Sequence, residues 1–290
     1  MEYALHIMIL FLIYSILAVS LDLLIGHTGL LSIAHGAFFG LGAYASALVA
    51  VDLSGPYLLG VLCAMVVAAL MSLLISLPTV RLRGDYLAIA TYAFQMILYS
   101  MLNNWVSVTG GPSGIPGINR PTILGWLVDT NWEFAALAVV FALVAYAVVW
   151  RITASPLGRI LRCIREDEVF GRGLGKNVLR CKVTVFAVSA ALAAMAGSLY
   201  AHYFSYIDPT SFTVMESILV IAMVIIGGAG SLWGPLIGAF VLVMLPEGLR
   251  FLGLPSAVAA NLRQIIYGSL LVVMMMVRPR GLGGRYAFGR

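Results

Sequence analysis

Nine apolar stretches divide the chain, at about 3–25, 29–51, 57–77, 86–103, 132–150, 183–204, 214–227, 235–250 and 262–277. As helices they would cross, or nearly cross, a hydrocarbon core of about 30 Å. Two are poor straight helices. The second carries Gly29, Gly36, Gly40, Gly42 and His35, with Gly26 and His27 just ahead of it, and the seventh runs into Gly227-Gly228-Ala229-Gly230-Ser231. Irregular backbone at membrane depth is tolerated only where protein buries it or where it lines a wet cavity. The pattern predicts an all-α polytopic transmembrane bundle, one domain over 1–290, with nine spans, or eight to ten if an interrupted stretch is re-entrant. His35, Gly36, Gly228 and Gly230 are then the candidates for lining a translocation path, where small residues would let backbone carbonyls face a passing solute.

One long polar segment interrupts this pattern. Residues 151–182 hold eight Lys/Arg (Arg151, Arg159, Arg162, Arg165, Arg172, Lys176, Arg180, Lys182) against Glu166, Asp167 and Glu168. With Arg81 and Arg83 in the loop at 78–85 and Arg278, Arg280, Arg285 and Arg290 in the tail, fourteen of the 17 basic residues fall on segments that nine crossings place on one side. Basic excess marks the cytoplasmic side, so the segment faces the cytosol and the N-terminus lies outside. Ser155-Pro156 is a helix start, a capping hydroxyl followed by a residue that needs no N–H at the first position. Leu157, Leu161 and Ile164 share one face, and Arg159, Arg162 and Arg165 share another. The expected element is an amphipathic rod of about 15 residues, or about 22 Å, ended by Gly171, Gly173 and Gly175. Two readings stand: a solvated loop obeying the positive-inside rule, or a shape suited to a groove on a cytosolic partner.

Composition narrows the class. The chain has 290 residues, 62% hydrophobic and 10% charged, far below the charged fraction of a soluble domain. A net charge of +5 does not imply nucleic acid, because the positives flank apolar spans and no aromatic stacking patch accompanies them. Cys63, Cys163 and Cys181 form neither a disulfide framework nor a metal spacing. No positive region precedes the first apolar run, which argues against a cleaved signal, so the first span is retained.

Ile25-Gly26-His27-Thr28-Gly29, Leu31 and Gly36-Ala37-Phe38 can be laid against Ile226-Gly227-Gly228-Ala229-Gly230, Leu232 and Gly238-Ala239-Phe240 with one residue inserted. That likeness reads either as matching halves around a transport site or as close helix packing. The loop at 104–131, dense in Gly and Pro, is a flexible surface loop or a structured lip that receives a substrate or carrier protein. Asp22, Glu216 and Glu247 near span ends are pathway groups or snorkelling carboxylates. His27, His35 and His202 lack ligand spacing and read as hydrogen-bonded structural histidines. Gly173-Leu174-Gly175-Lys176-Asn177 fails as a phosphate loop, with Phe170 where Gly is required and Asn177 where Ser or Thr must stand. No nucleophile, base and orienter arrangement is present, so the chain is not expected to be an enzyme.

Five motifs in order carry a resemblance over nearly the whole chain: 26–40 (GHTGLLSIAHGAFFG), 81–91 (RLRGDYLAIAT), 109–115 (TGGPSGI), the helix from Gly158-Arg159 toward Gly175, and 227–235 (GGAGSLWGP), with 278–282 (RPRGL) closing it. Together they resemble LivM-type permeases of branched-chain amino-acid ABC importers. The resemblance implies a bacterial inner-membrane importer pairing this chain with a second, LivH-like permease, two cytosolic ATPases that bind ATP and Mg²⁺, and an external substrate-binding protein. This chain itself would bind no cofactor and no nucleic acid. Arg159, Arg162, Arg165, Glu166, Asp167, Glu168 and Gly175 would form the coupling element. Glu168 and Gly175 stand nearest to the acid and glycine of the importers' EAA loop, although their spacing of seven is one longer than that motif's. Members also serve urea, short amides and aromatic acids. The rival class is an ion-coupled secondary transporter or channel, which the lack of a row of membrane carboxylates disfavours.

Overall fold

Each of the nine apolar stretches becomes one helix in the computed structural model, which describes residues 2–53, 55–82, 84–123, 126–250, 256–278 and 281–283. In chain order the helices are α1 (Glu2–Thr28), α2 (His35–Val51), α3 (Tyr57–Thr79), α4 (Asp85–Asn104), a single turn α5 (Val106–Thr109), α6 (Asn131–Ala154), α7 (Pro156–Glu166), α8 (Glu168–Gly173), α9 (Val178–Phe204), α10 (Val214–Gly227), α11 (Gly234–Arg250) and α12 (Ser256–Val277). Local chemistry sets several ends. Thr130 and Glu133 close a capping box at the start of α6, and the Asn177 side chain accepts from Arg180 N–H to start α9. Gly228, at φ 105°, turns the chain out of α10.

Four helices, α1, α3, α6 and α9, are by themselves long and apolar enough to cross a membrane. The others differ in an informative way. α10 has 14 residues, about 21 Å, short of the hydrocarbon thickness. α2 has 17 and starts deep, because His35 Nε2 lies 2.8 Å from Ser20 Oγ, about two turns back from the end of α1. Residues 29–34 thus run back into the bundle without helical structure. The broken spans expected from the glycine pattern are present, and protein buries the break: Ser32, Ala34 and His35 have no exposed surface.

α1 and α9 form the centre, with α2 and α3 packed on α9 and α6 on α1. Glycine permits the closest approach. A Cβ at Gly197 of α9 would stand 2.0 Å from the Phe39 carbonyl oxygen, and one at Gly42 of α2 would stand 2.2 Å from that of Ala194. The outward face of α3 is apolar throughout, with Leu62, Val66, Leu70, Leu74 and Leu77 exposed in one row, as a lipid-facing helix requires.

Contacts separate two ends. At one, Gly26 of α1, Arg165 of α7 and Gly230 meet, the tail bonds back through Leu282 N–H to Ile226 O and Gly283 N–H to Gly227 O, and Arg81 faces Arg172 and Lys182 across a cavity. The basic segments therefore share one end, as the parity of nine spans requires; Arg83, Arg280, Arg285 and Arg290 lie outside the described residues. At the other end Glu2 meets Asn131, and the connection after α4 packs on the bundle around 115–118, with Ile115–Pro116 paired to Tyr206–Ile207 and both Ile115 and Ile118 buried. Around 115–118 the connection is therefore structured.

Candidate functional site

The polar segment between α6 and α9 folds as an elbow rather than the continuous rod expected from its periodicity. α7 runs for 11 residues, and Asp167 then takes an extended conformation (φ −151°, ψ 109°). Its carboxylate accepts from the N–H groups of Val169 and Phe170 and starts α8. Asp is a poor interior helix residue because its short side chain competes for nearby amides, and here that competition breaks the helix. Ser155 occupies the position before α7 and Pro156 its first residue, but the Ser155 hydroxyl donates back to Ile152 O and caps nothing.

The apolar stripe of α7 is confirmed: Leu161 and Ile164 are buried, with Leu157 packed against the core. The basic face divides. Arg159 and Arg162 are exposed, whereas Arg165 turns inward, donates to the Gly26 carbonyl at the end of α1 and pairs with Glu166 at 2.9 Å. Glu168 also turns inward. It accepts from Lys182 Nζ at 2.9 Å and Arg172 Nη2 at 2.6 Å, so it ties α8 to the first turns of α9. Burial raises the Glu168 carboxyl, but the hydrogen bonds and charges of Lys182 and Arg172 outweigh it and hold it below the usual carboxylate range. Gly175 sits at φ 70° in the turn between α8 and α9, with open space around it.

Periodicity alone did not single out three further residues. Val169, Phe170 and Leu174 are 64%, 60% and 56% exposed on the elbow, in a polar segment outside the membrane spans. The signal available in the sequence was apolar residues within a charged loop. They stand on the same short segment as the exposed Glu166 and Arg172.

Arg165 leads directly to the glycine junction. Asp22, fully buried on α1, accepts from Gly230 N–H at 2.8 Å and lies 3.6 Å from His27 Nε2. Its burial excludes the snorkelling reading. A Cβ at Gly26 would stand 2.2 Å from both Gly230 N and Asp22 Oδ1, so the two glycine-interrupted stretches press backbone on backbone. The four path candidates separate into two places. Gly228 and Gly230 belong to this junction, while His35 and Gly36 lie deeper. Gly36 N–H donates to Ser217 Oγ at 2.8 Å, and Gln95 Nε2 donates to Phe212 O beside it. His35 and His202 are the structural histidines expected, the latter held by Ser46 Oγ and Asn119 O at 2.9 and 2.8 Å. Glu216 accepts from Tyr14 O–H at 3.1 Å, at the rim of a cavity of about 490 Å³ that Glu247 also lines.

A bundle with broken spans, a buried glycine junction and an exposed elbow at its basic end is that of a multi-pass membrane permease. The chain belongs to the family described as branched-chain amino acid transport system / permease component, whose model matches residues 3–275. It is 36% identical over 300 residues to the high-affinity branched-chain amino acid transport system permease protein LivM of Escherichia coli (strain K12), covering 93% of this chain and 68% of that one. It is 27% identical over 296 residues to LivH of Salmonella typhimurium, covering 94% and 91%. A probable LivM of Methanocaldococcus jannaschii is 26% identical over 239 residues, covering 79% and 68%. No solved structure matches. These findings bear out the resemblance carried by the five motifs, and they make the chain a transport subunit of an ABC importer family.

Proposed function

We propose that this permease sits in a bacterial inner membrane with its basic end in the cytosol, paired with a second, LivH-like permease. Two cytosolic ATPases that bind ATP and Mg²⁺, and an external substrate-binding protein, complete the importer. Its cargo is branched-chain amino acids, in keeping with the names of its LivM and LivH relatives. Nucleotide binding moves the elbow formed by α7, Asp167 and α8, and the movement alternates access to a path between the two permeases. Such a shift requires the ATPase to contact the elbow differently in its two nucleotide states.

The observation that carries this reading is the elbow's divided surface. Val169, Phe170 and Leu174 stand exposed with Arg159, Arg162 and Glu166 outside, while Arg165 and Glu168 grip the transmembrane helices within. One face is available to a partner and the other reports to α1 and α9. Arg165, Asp167 and Glu168 would therefore transmit motion, and the remaining elbow groups would receive it.

Arg162→Glu with Phe170→Asp should leave the chain inserted but abolish co-purification of the ATPases and uptake of leucine. Full assembly and transport in that variant would remove the assignment. For the path, cysteine placed at His35, Gly36, Gly228 or Gly230 and probed with a small water-soluble thiol reagent should react in at least one nucleotide state. No reaction at any of the four would exclude them as lining residues.

A further inference from the structure

The end of α3 and the start of α9 enclose a second feature of the basic end, which the coupling role leaves unexplained. A cavity of about 570 Å³ is lined by Arg81, Arg172, Lys176 and Lys182, with Glu168 the one carboxylate on its wall among the described residues. Glu168 engages Arg172 and Lys182. Arg81 and Lys176 are exposed, and among the described residues no hydrogen bond or ion pair commits either. Asn177, Val178 and Leu179 also line the cavity, so the N-terminal end of the 27-residue α9 adds the positive end of a helix dipole. Among the described residues, four cations thus share this cavity with one carboxylate.

The cavity's position bears on what balances those cations. Leu62, Val66, Leu70, Leu74 and Leu77 are exposed along α3, and Arg81 follows in the turn just past its end at Thr79. An acyl chain lying on this row would end at the cavity mouth. We propose that the cavity binds the phosphate-bearing headgroup of an anionic phospholipid whose tail lies along α3. The site rests on the reading that the basic end faces the cytosol, where the leaflet is anionic. Arg81 and Lys176 supply the uncommitted charge, and Arg172 offers the N–H groups that Glu168 does not use. Bound lipid would fasten the loop after α3 to α8 and α9, beside the elbow.

The test uses the permease purified with its co-expressed partner subunits, stripped of lipid in detergent and titrated with phosphatidylglycerol, phosphatidylcholine or inorganic phosphate, with bound lipid counted by native mass spectrometry. Phosphatidylglycerol should be retained in preference to phosphatidylcholine. Arg81→Gln with Lys176→Gln should weaken its binding about 25-fold, about 5-fold for each charge removed. Arg81→Lys with Lys176→Arg should preserve binding, as should Arg151→Gln with Arg180→Gln, which removes two charges outside the cavity. Equal retention of the two lipids, or no effect of the first pair, overturns the proposal. Displacement of the lipid by millimolar inorganic phosphate would make this a site for free anions. Lipid bound only when the ATPases are absent would make it a partner's dock, and either result also overturns it. Lipid counts in detergent do not depend on sidedness, so failure here and failure of the topology, read by surface labelling, are distinguishable.

Discussion

At the basic end, backbone meets backbone through Gly26 and Gly230, and charged groups hold the surrounding segments: Asp22 on the Gly230 amide, Arg165 on the Gly26 carbonyl, Glu168 between Lys182 and Arg172. At the opposite end no ion pair is found among the described residues, and strand pairing and neutral hydrogen bonds stand beside the single-charge bonds of Glu2 and Arg120 to Asn131. Ile115–Pro116 pairs with Tyr206–Ile207, and His202 joins Ser46 to the Asn119 carbonyl. Strand pairing and neutral hydrogen bonds are little affected by an approaching charge, whereas ion pairs exchange partners when a charged surface docks. Under the proposed coupling, the basic end would move and the other would hold.

The largest test of this contrast is Gly26→Leu, which would drive a side chain into Gly230 N and Asp22 Oδ1. It should cost about 3 kcal/mol or more, measured by unfolding in a denaturing detergent. Glu168→Gln should follow at about 3 kcal/mol, because it leaves Lys182, whose side chain is 6% exposed, without its carboxylate. The native Glu168 carboxyl lies below its ordinary value of 4.5, so its contribution is present above pH 4.5 and fades as pH falls through the lower native value. That part of the pH profile should be missing in the variant. His202→Leu at the opposite end removes two hydrogen bonds, to Ser46 and to the Asn119 carbonyl, and should cost about 2 kcal/mol. Breaking the α6 capping box with Thr130→Ala should cost about 1 kcal/mol. Ser155→Ala, whose hydroxyl caps nothing, should stay within about 0.5 kcal/mol. A loss at His202 larger than that at Gly26 would reverse the contrast.

Much of the fold was legible. The nine apolar helices, the shared side of the described basic loops and the interrupted character of 26–36 and 227–234 follow from hydropathy, charge and glycine. The site was legible in part. Counting along 151–182 located the elbow, and the stripe of Leu157, Leu161 and Ile164 correctly marked its inner face. Periodicity could not reveal that Asp167 breaks the helix, since its carboxylate captures amides only two and three residues ahead. Nor could it sort Arg162 from Arg165. The two differ by where α1 ends, a fact of tertiary structure.

The chain's own letters determined that it is a membrane protein, which stretches become its apolar helices and which end is basic, because transfer from water to lipid is set residue by residue. They also held the family's motifs. Only the folded arrangement decided that α1 and α9 are central while the comparably apolar α3 and α6 line the outside, that Asp22 is buried against Gly230, and that Arg165 reaches Gly26. Those outcomes depend on which glycines allow two backbones to touch, and close approach is a property of pairs that no single position encodes.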